Sequence, residues 1–153
     1  MLVSVIIPTI NEQRSIQRAV QTAWAANADE VIVVDGGSQD QTALLAEQFS
    51  ARVVVSLPGR ATQQNAGAAI ARGDVMLFQH ADNWLHRHAL SQLRELFQNP
   101  EVTSAAFKQR IDAQGLGYRL LEWGNARRVD WFGKAYGDQG IAIRRDFFHK
   151  IGR

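Results

Sequence analysis

The sequence has no cysteine and only three prolines. Without a thiol, a disulfide framework, a thiolate zinc centre and a cysteine nucleophile are all excluded, and the composition suits the cytoplasm. No apolar run approaches the roughly 20 residues that a membrane-crossing helix needs. The N-terminus enters a strand-like stretch with no basic leader, so the sequence reads as soluble and without a removable signal. The first strand-like segment is not followed by G-x-G-x-x-G, which argues against a nicotinamide-binding fingerprint. Internal repeats, low-complexity stretches and linkers are missing too, so residues 1–153 read as one domain. With 46% apolar residues, such a domain can bury a core unaided.

Positive charge is scarce early and abundant late. Residues 1–76 carry 5 Arg against 7 acids, whereas residues 77–153 carry 12 Lys/Arg against 8 acids. A surplus this small does not hold nucleic acid against physiological salt. It suits the steering of a diphosphate or peripheral association with an anionic membrane surface.

The apolar segments set the fold class. Leu2–Pro8, Glu30–Asp35, Arg52–Ser56 and Val75–His80 are continuous β-branched runs, the pattern of parallel strands covered on both faces in the centre of a sheet. Glu12–Ala26, Gln41–Phe49 and Ala61–Arg72 have the length and alanine content of crossover helices. Beyond them, Arg87–Gln98 and Gly117–Arg128 read as helices, Ser104–Arg110 and Gly140–Arg144 as strands, with a short helix from Asp146. The expectation is an α/β, Rossmann-like, mainly parallel sheet with helices on both faces and a mixed C-terminal part. The chain stops at Ile151-Gly152-Arg153, which reads as the middle of a connection.

In such a sheet ligands bind beyond the carboxyl ends of the strands, so the turns after them are where chemistry is sought. Three polar turns follow the apolar runs: Thr9-Ile10-Asn11-Glu12, Asp35-Gly36-Gly37-Ser38-Gln39-Asp40 and His80-Ala81-Asp82-Asn83. Thr9-x-x-Glu12 also has the spacing of a capping box, and Asp40 that of an N-cap, so either set serves a helix start equally well. Asp35 ends an apolar strand before two glycines that let a ligand approach the backbone, which favours a functional role. Asp82 is a candidate ligand for Mg²⁺ or Mn²⁺, ions that keep positions for water and substrate phosphates. His80 would join it on the metal, orient a phosphate, or fill the strand end. Arg60, with Gln63 one turn on, stands at a helix start where the dipole favours anions. A metallohydrolase built on His80, Asp82, His86 and His88 is disfavoured, because on a helix His86 and His88 would point apart. Tyr136-Gly137-Asp138-Gln139 is a polar turn suited to sugar hydroxyls, while Trp123 and Trp131 read as core.

Four segments in order, VSVIIPTINE, EVIVVDGGSQDQT, GRATQQNAGAAIARGDVMLFQHADN and YGDQGIAIRR, resemble the family 2 glycosyltransferases across nearly the whole chain. Within them the chain looks like the branch described as radical-SAM or selenodomain-associated transferase 2, where a histidine replaces the first acid of Asp-x-Asp. The resemblance implies a GT-A fold, with residues 1–82 as a nucleotide-binding half and 83–153 as a partial acceptor half. It implies inverting, metal-dependent transfer from a nucleotide-diphosphate sugar to an unknown acceptor. Thr9, Glu12 and Asp35 would contact the nucleoside, Arg60 and Gln63 would lie near the donor, and Asp82 would hold the metal. Asp138 and Gln139 would sit on the acceptor or donor-sugar side. Two departures stand out: the usual Asp-Asp after the second strand is Asp35-Gly36 here, and the acidic motif that supplies the general base is not reached, leaving Asp138 as a weak substitute. A non-catalytic nucleotide-sugar-binding module, or a fragment lacking the base, is the alternative.

Overall fold

The computed structural model describes residues 1–107 and 140–151. Its strands are β1 (Val3–Thr9), β2 (Glu30–Asp35), β3 (Arg52–Val55), β4 (Val75–Phe78), β5 (Ser104–Ala106) and β6 (Ile141–Arg144). Its helices are α1 (Ile16–Ala25), α2 (Thr42–Gln48), α3 (Arg60–Ile70), α4 (Ala89–Leu96) and a last one, α5 (Arg145–Ile151). The strands form a single sheet in the order β3-β2-β1-β4-β6-β5. β1 pairs in parallel with β2 and β4, and β2 with β3, while β6 runs antiparallel to both β4 and β5. The expected α/β class, with its mixed C-terminal part, is the architecture found.

Alternation along the strands builds two cores, one on each face. Val3, Val5 and Ile7 of β1 pack with Ile16, Val20 and Ala23 of α1 and with Leu90 and Leu93 of α4. Ile6 of β1 and Ile32 and Val34 of β2 pack on the opposite face with Ala68 of α3, and Phe147 and Phe148 of α5 lean on that cluster. Gly67 lets α3 lie close, since a Cβ there would stand 2.4 Å from Ile6 Cγ2 and 3.0 Å from Val34 Cγ2.

Several expectations need correction. β3 lies at the sheet edge, with Val55 72% exposed, because among the described residues no strand pairs with its outer side. α1 starts at Ile16, four residues later than Glu12. Thr9 and Glu12 form no capping box: Glu12 instead accepts from the Ser15 hydroxyl at 2.7 Å. α4 starts at Ala89 rather than Arg87. The expected helix 117–128, both tryptophans within 123–131, and the strand residues 108–110 lie outside the described residues.

Candidate active site at the carboxyl edge of the sheet

Register brings the first two turns together. Thr9 and Asp35, the last residues of β1 and β2, are direct partners in the parallel ladder. On the other side of β1, Ile6 pairs with Phe78, and the Gln79 N–H donates to the Ile6 carbonyl at 2.9 Å, so the turn 80–83 leaves from the same edge. From β1 the chain proceeds to β2 and β3 in one direction and to β4 in the other. That reversal of strand order makes the crevice in which doubly wound sheets bind ligands.

The loops after β1 and β2 are stitched to each other. The Asn11 N–H donates to Ser38 Oγ at 2.9 Å, and Asn11 Oδ1 accepts from the Gln39 N–H at 2.8 Å. The Glu12 N–H donates to Thr42 Oγ1 at 2.8 Å, and the Gln13 N–H to Asp40 Oδ2 at 3.2 Å. Asp40 also accepts from the Thr42 N–H at 3.0 Å, so it serves the start of α2 as well. Hydrogen bonding from Thr42 is the chief cause holding its carboxyl below the ordinary 3.8.

Asp35 is 4% exposed and organises the turn that follows it. Its Oδ2 accepts from the Gly37 and Ser38 N–H groups at 3.1 and 2.9 Å, and its Oδ1 from the Ser38 hydroxyl. A carboxylate offers about four lone-pair directions, so one remains for a ligand. The two glycines divide their work. Gly37 supplies a φ of +93°, whereas Gly36 packs against the Gln63 amide, where a Cβ would come within 3.1 Å of the side-chain nitrogen.

Gln63, expected near the donor, is 4% exposed beneath the strand ends. Its Nε2 donates to the Thr9 and Val34 carbonyls, each at 2.8 Å, and its Oε1 accepts from the Gly59 N–H at 3.3 Å. Arg60, the first residue of α3, is exposed. Sequence reasoning missed Gln79, whose signal was an amide closing an apolar strand. It is 1% exposed and donates from Nε2 to the Asn83 carbonyl at 2.7 Å, bracing the turn that carries Asp82.

Among the described residues, three buried side-chain atoms have no hydrogen-bond partner: Thr9 Oγ1, Gln79 Oε1 and His80 Nε2. All three belong to residues at or just beyond the ends of β1 and β4. Unsatisfied buried groups are costly and few in folded proteins, so each of these three atoms calls for a partner that the described residues do not supply. Asp82 is exposed there. An exposed carboxylate two residues after an imidazole is a donor pair whose types suit Mn²⁺, with phosphate and water completing the shell. Among the described residues no cluster of three or more His, Asp or Glu side chains could hold a metal unaided.

His86 and His88 correct the sequence reading. They precede α4 instead of lying on it, and their rings stand 5.3 Å apart rather than pointing away from each other. The expected sugar-side pair, Asp138 and Gln139, lies outside the described residues. A separate open hollow lies at the opposite edge, lined by Met1, Asp74, Phe97, Arg144, Arg145 and Asp146. Its Arg144 guanidinium is engaged by the Val102, Phe97 and Asn99 carbonyls at 2.7, 2.7 and 3.0 Å, so it acts as a brace.

Residues 4–151 match the family described as glycosyl transferase family 2. The chain belongs to that family. A dolichol-phosphate mannosyltransferase of Pyrococcus furiosus is 30% identical over 99% of this family 2 chain and 42% of its own length. An uncharacterized glycosyltransferase of Nostoc is 32% identical over 67% of the chain and 34% of its own length. The chain thus spans about a third to two-fifths of these curated relatives. Glucosyl-3-phosphoglycerate synthase from Mycobacterium tuberculosis, in complex with Mn²⁺, uridine diphosphate and glucosyl-3-phosphoglycerate, superposes with a TM-score of 0.70. That match has 22% identity and covers 95% of the family 2 chain and 57% of the neighbour. The shared fold is GT-A. Among the described residues no helix is long and apolar enough to cross a membrane.

Proposed function

We propose that this chain provides the donor-binding part of a metal-dependent, inverting glycosyltransferase that uses a nucleoside diphosphate sugar. The observation that carries the reading is the gathering of the polar turns after β1, β2 and β4 at one edge, with three partnerless buried polar atoms among them. Family membership and a fold neighbour bound to uridine diphosphate and Mn²⁺ support it.

In this reading Thr9, Glu12 and Asp35 line the nucleoside, with Asp35 already oriented by its own turn. Arg60 meets the diphosphate at the start of α3, where unpaired N–H groups and the helix dipole add favourable potential. Asp82 and His80 hold a divalent cation. When bound, such a cation supplies charge neutralisation to the departing diphosphate, so departure needs no protonating acid. Residues 1–82 form the nucleotide half and 83–153 contribute to the acceptor half, with Asp138 and Gln139 toward the sugar.

Calorimetry tests this directly. Uridine diphosphate titrated into the chain with Mn²⁺ is expected to bind one-to-one and more weakly when EDTA replaces the metal. No heat with uridine, guanosine, adenosine or thymidine diphosphate would remove the reading.

A further inference from the structure

We infer that Gln63 is a positioning residue that couples the nucleoside side of the cleft to the diphosphate side without touching the donor; the inference rests on the donor-binding reading above. Its side chain uses both amide hydrogens and one acceptor position of the amide oxygen. The two hydrogens of Nε2 go to the carbonyls of Thr9 and Val34, each at 2.8 Å, and Oε1 takes the Gly59 N–H at 3.3 Å. Thr9 closes β1, Val34 precedes Asp35 at the end of β2, and Gly59 precedes Arg60 at the start of α3. One side chain therefore spans three elements, and each of them delivers a residue to the cleft.

The geometry leaves little room for other residue types. The Thr9 carbonyl also accepts the Gly36 N–H at 2.9 Å, so both its lone pairs are engaged and the plane of that peptide is fixed. Asparagine is one methylene too short to reach from α3 to both strands. Glutamate would set a buried negative charge against two carbonyl oxygens. Gly36 completes the arrangement, because a Cβ there would stand only 3.1 to 3.3 Å from the Gln63 amide. This assigns a reason to the glycine that stands where a second acid is expected. A Cβ at 36 would press on the amide and shift it by a few tenths of an ångström from the strand ends.

The test is a double-variant cycle read by calorimetry with uridine diphosphate and Mn²⁺. Gln63→Met keeps the shape of the side chain and is expected to raise Kd about tenfold or more with the binding stoichiometry unchanged. Simple unfolding would instead lower the stoichiometry. Gly36→Ala displaces the amide without removing it and is expected to raise Kd about threefold. The two effects are expected not to multiply, since both act through one amide. A folded Gln63→Met that binds as tightly as the unaltered chain overturns the inference, as do effects that multiply. If Gln63→Met does not fold, Gly36→Ala decides alone, and an unchanged Kd overturns it. Absence of binding by the unaltered chain would bring down the donor reading itself, a result distinct from either.

Discussion

Asn11 and Ser38 tie the first two loops of the cleft together, the Asn11 N–H donating to Ser38 Oγ at 2.9 Å while Asn11 Oδ1 accepts from the neighbouring Gln39 N–H. Asn11 has a φ of +54°, a left-handed conformation that asparagine tolerates better than most residues. The side-chain bond and the backbone preference are separable. Asn11→Gly removes the bond to Gln39 but keeps the conformation, and is expected to cost about 0.5–1 kcal/mol. Asn11→Ala also places a Cβ in the left-handed region and is expected to cost about 1–2 kcal/mol more. Urea denaturation of the two variants checks the order, and equal midpoints would contradict it.

Gly67 offers a sharper steric test. Its missing Cβ would fall 2.4 Å from Ile6 Cγ2, in a part of the core where α3 meets β1 and β2. Alanine normally favours a helix over glycine by about 1 kcal/mol. Here crowding is expected to outweigh that preference, so Gly67→Ala destabilises by about 1–3 kcal/mol. Thermal unfolding followed by circular dichroism measures it. A stabilised variant would show that α3 can move away from the sheet.

Much of the sheet was legible because its signals are local. β2 runs Glu30–Asp35, as its apolar run indicates, since a polar turn with two glycines closes it at once. The start of α1 was not legible. Thr9 and Glu12 carry capping-box spacing, yet the Glu12 N–H donates to the Thr42 hydroxyl at the start of α2, and the chain turns helical only at Ile16. The edge position of β3 was hidden for the same reason. RVVV reads as a covered strand, and only the strand order reveals that no strand among the described residues pairs with its outer side. The site residues divide likewise. Thr9, Asp35 and Asp82 were singled out because turns after strands are where chemistry collects. The roles of Gln63 and Gly36 depend on contacts 54 and 27 positions away along the chain, to Thr9 and Gln63 respectively, which no spacing rule encodes.

Acid should weaken the far edge of the sheet in a defined window. Burial pushes the Asp29 carboxyl up, but the Val3 N–H and the Arg94 guanidinium, 2.6 Å from Oδ2, together outweigh it and hold it below the ordinary 3.8. A carboxylate with a depressed folded-state pKa contributes stability that is complete above the unfolded value. It is lost as pH falls through the lower, folded value. The expectation is a contribution constant near neutrality that declines once pH drops below about 3.8. Water screens this half-exposed pair, so Arg94→Met is expected to cost no more than about 1 kcal/mol at pH 7. The difference between variant and unaltered protein should shrink as the pH falls below that point. Urea midpoints at pH 7, 4 and 3 check the sign, and a gap that widens on acidification would refute it.

The metal reading is tested by separating Asp82 from His80. Asp82 is exposed at the edge, while His80 is half-buried with Nε2 closed off from solvent and without a partner. Removing an exposed carboxylate leaves the fold intact, so Asp82→Ala is expected to keep its unfolding midpoint within about 0.5 kcal/mol. The same variant is expected to lose the Mn²⁺ enhancement of uridine diphosphate binding. His80→Phe preserves the ring volume and deletes only the nitrogens, which avoids confusing a cavity with a lost ligand. If Nε2 belongs to the cation, that variant needs about 10- to 100-fold more Mn²⁺ for half-maximal enhancement, the range seen when support for a metal site is removed. Mn²⁺ titration at fixed uridine diphosphate measures this. A His80→Phe protein with an unchanged Mn²⁺ requirement would make His80 a filler of the strand end and leave Asp82 as the single protein ligand.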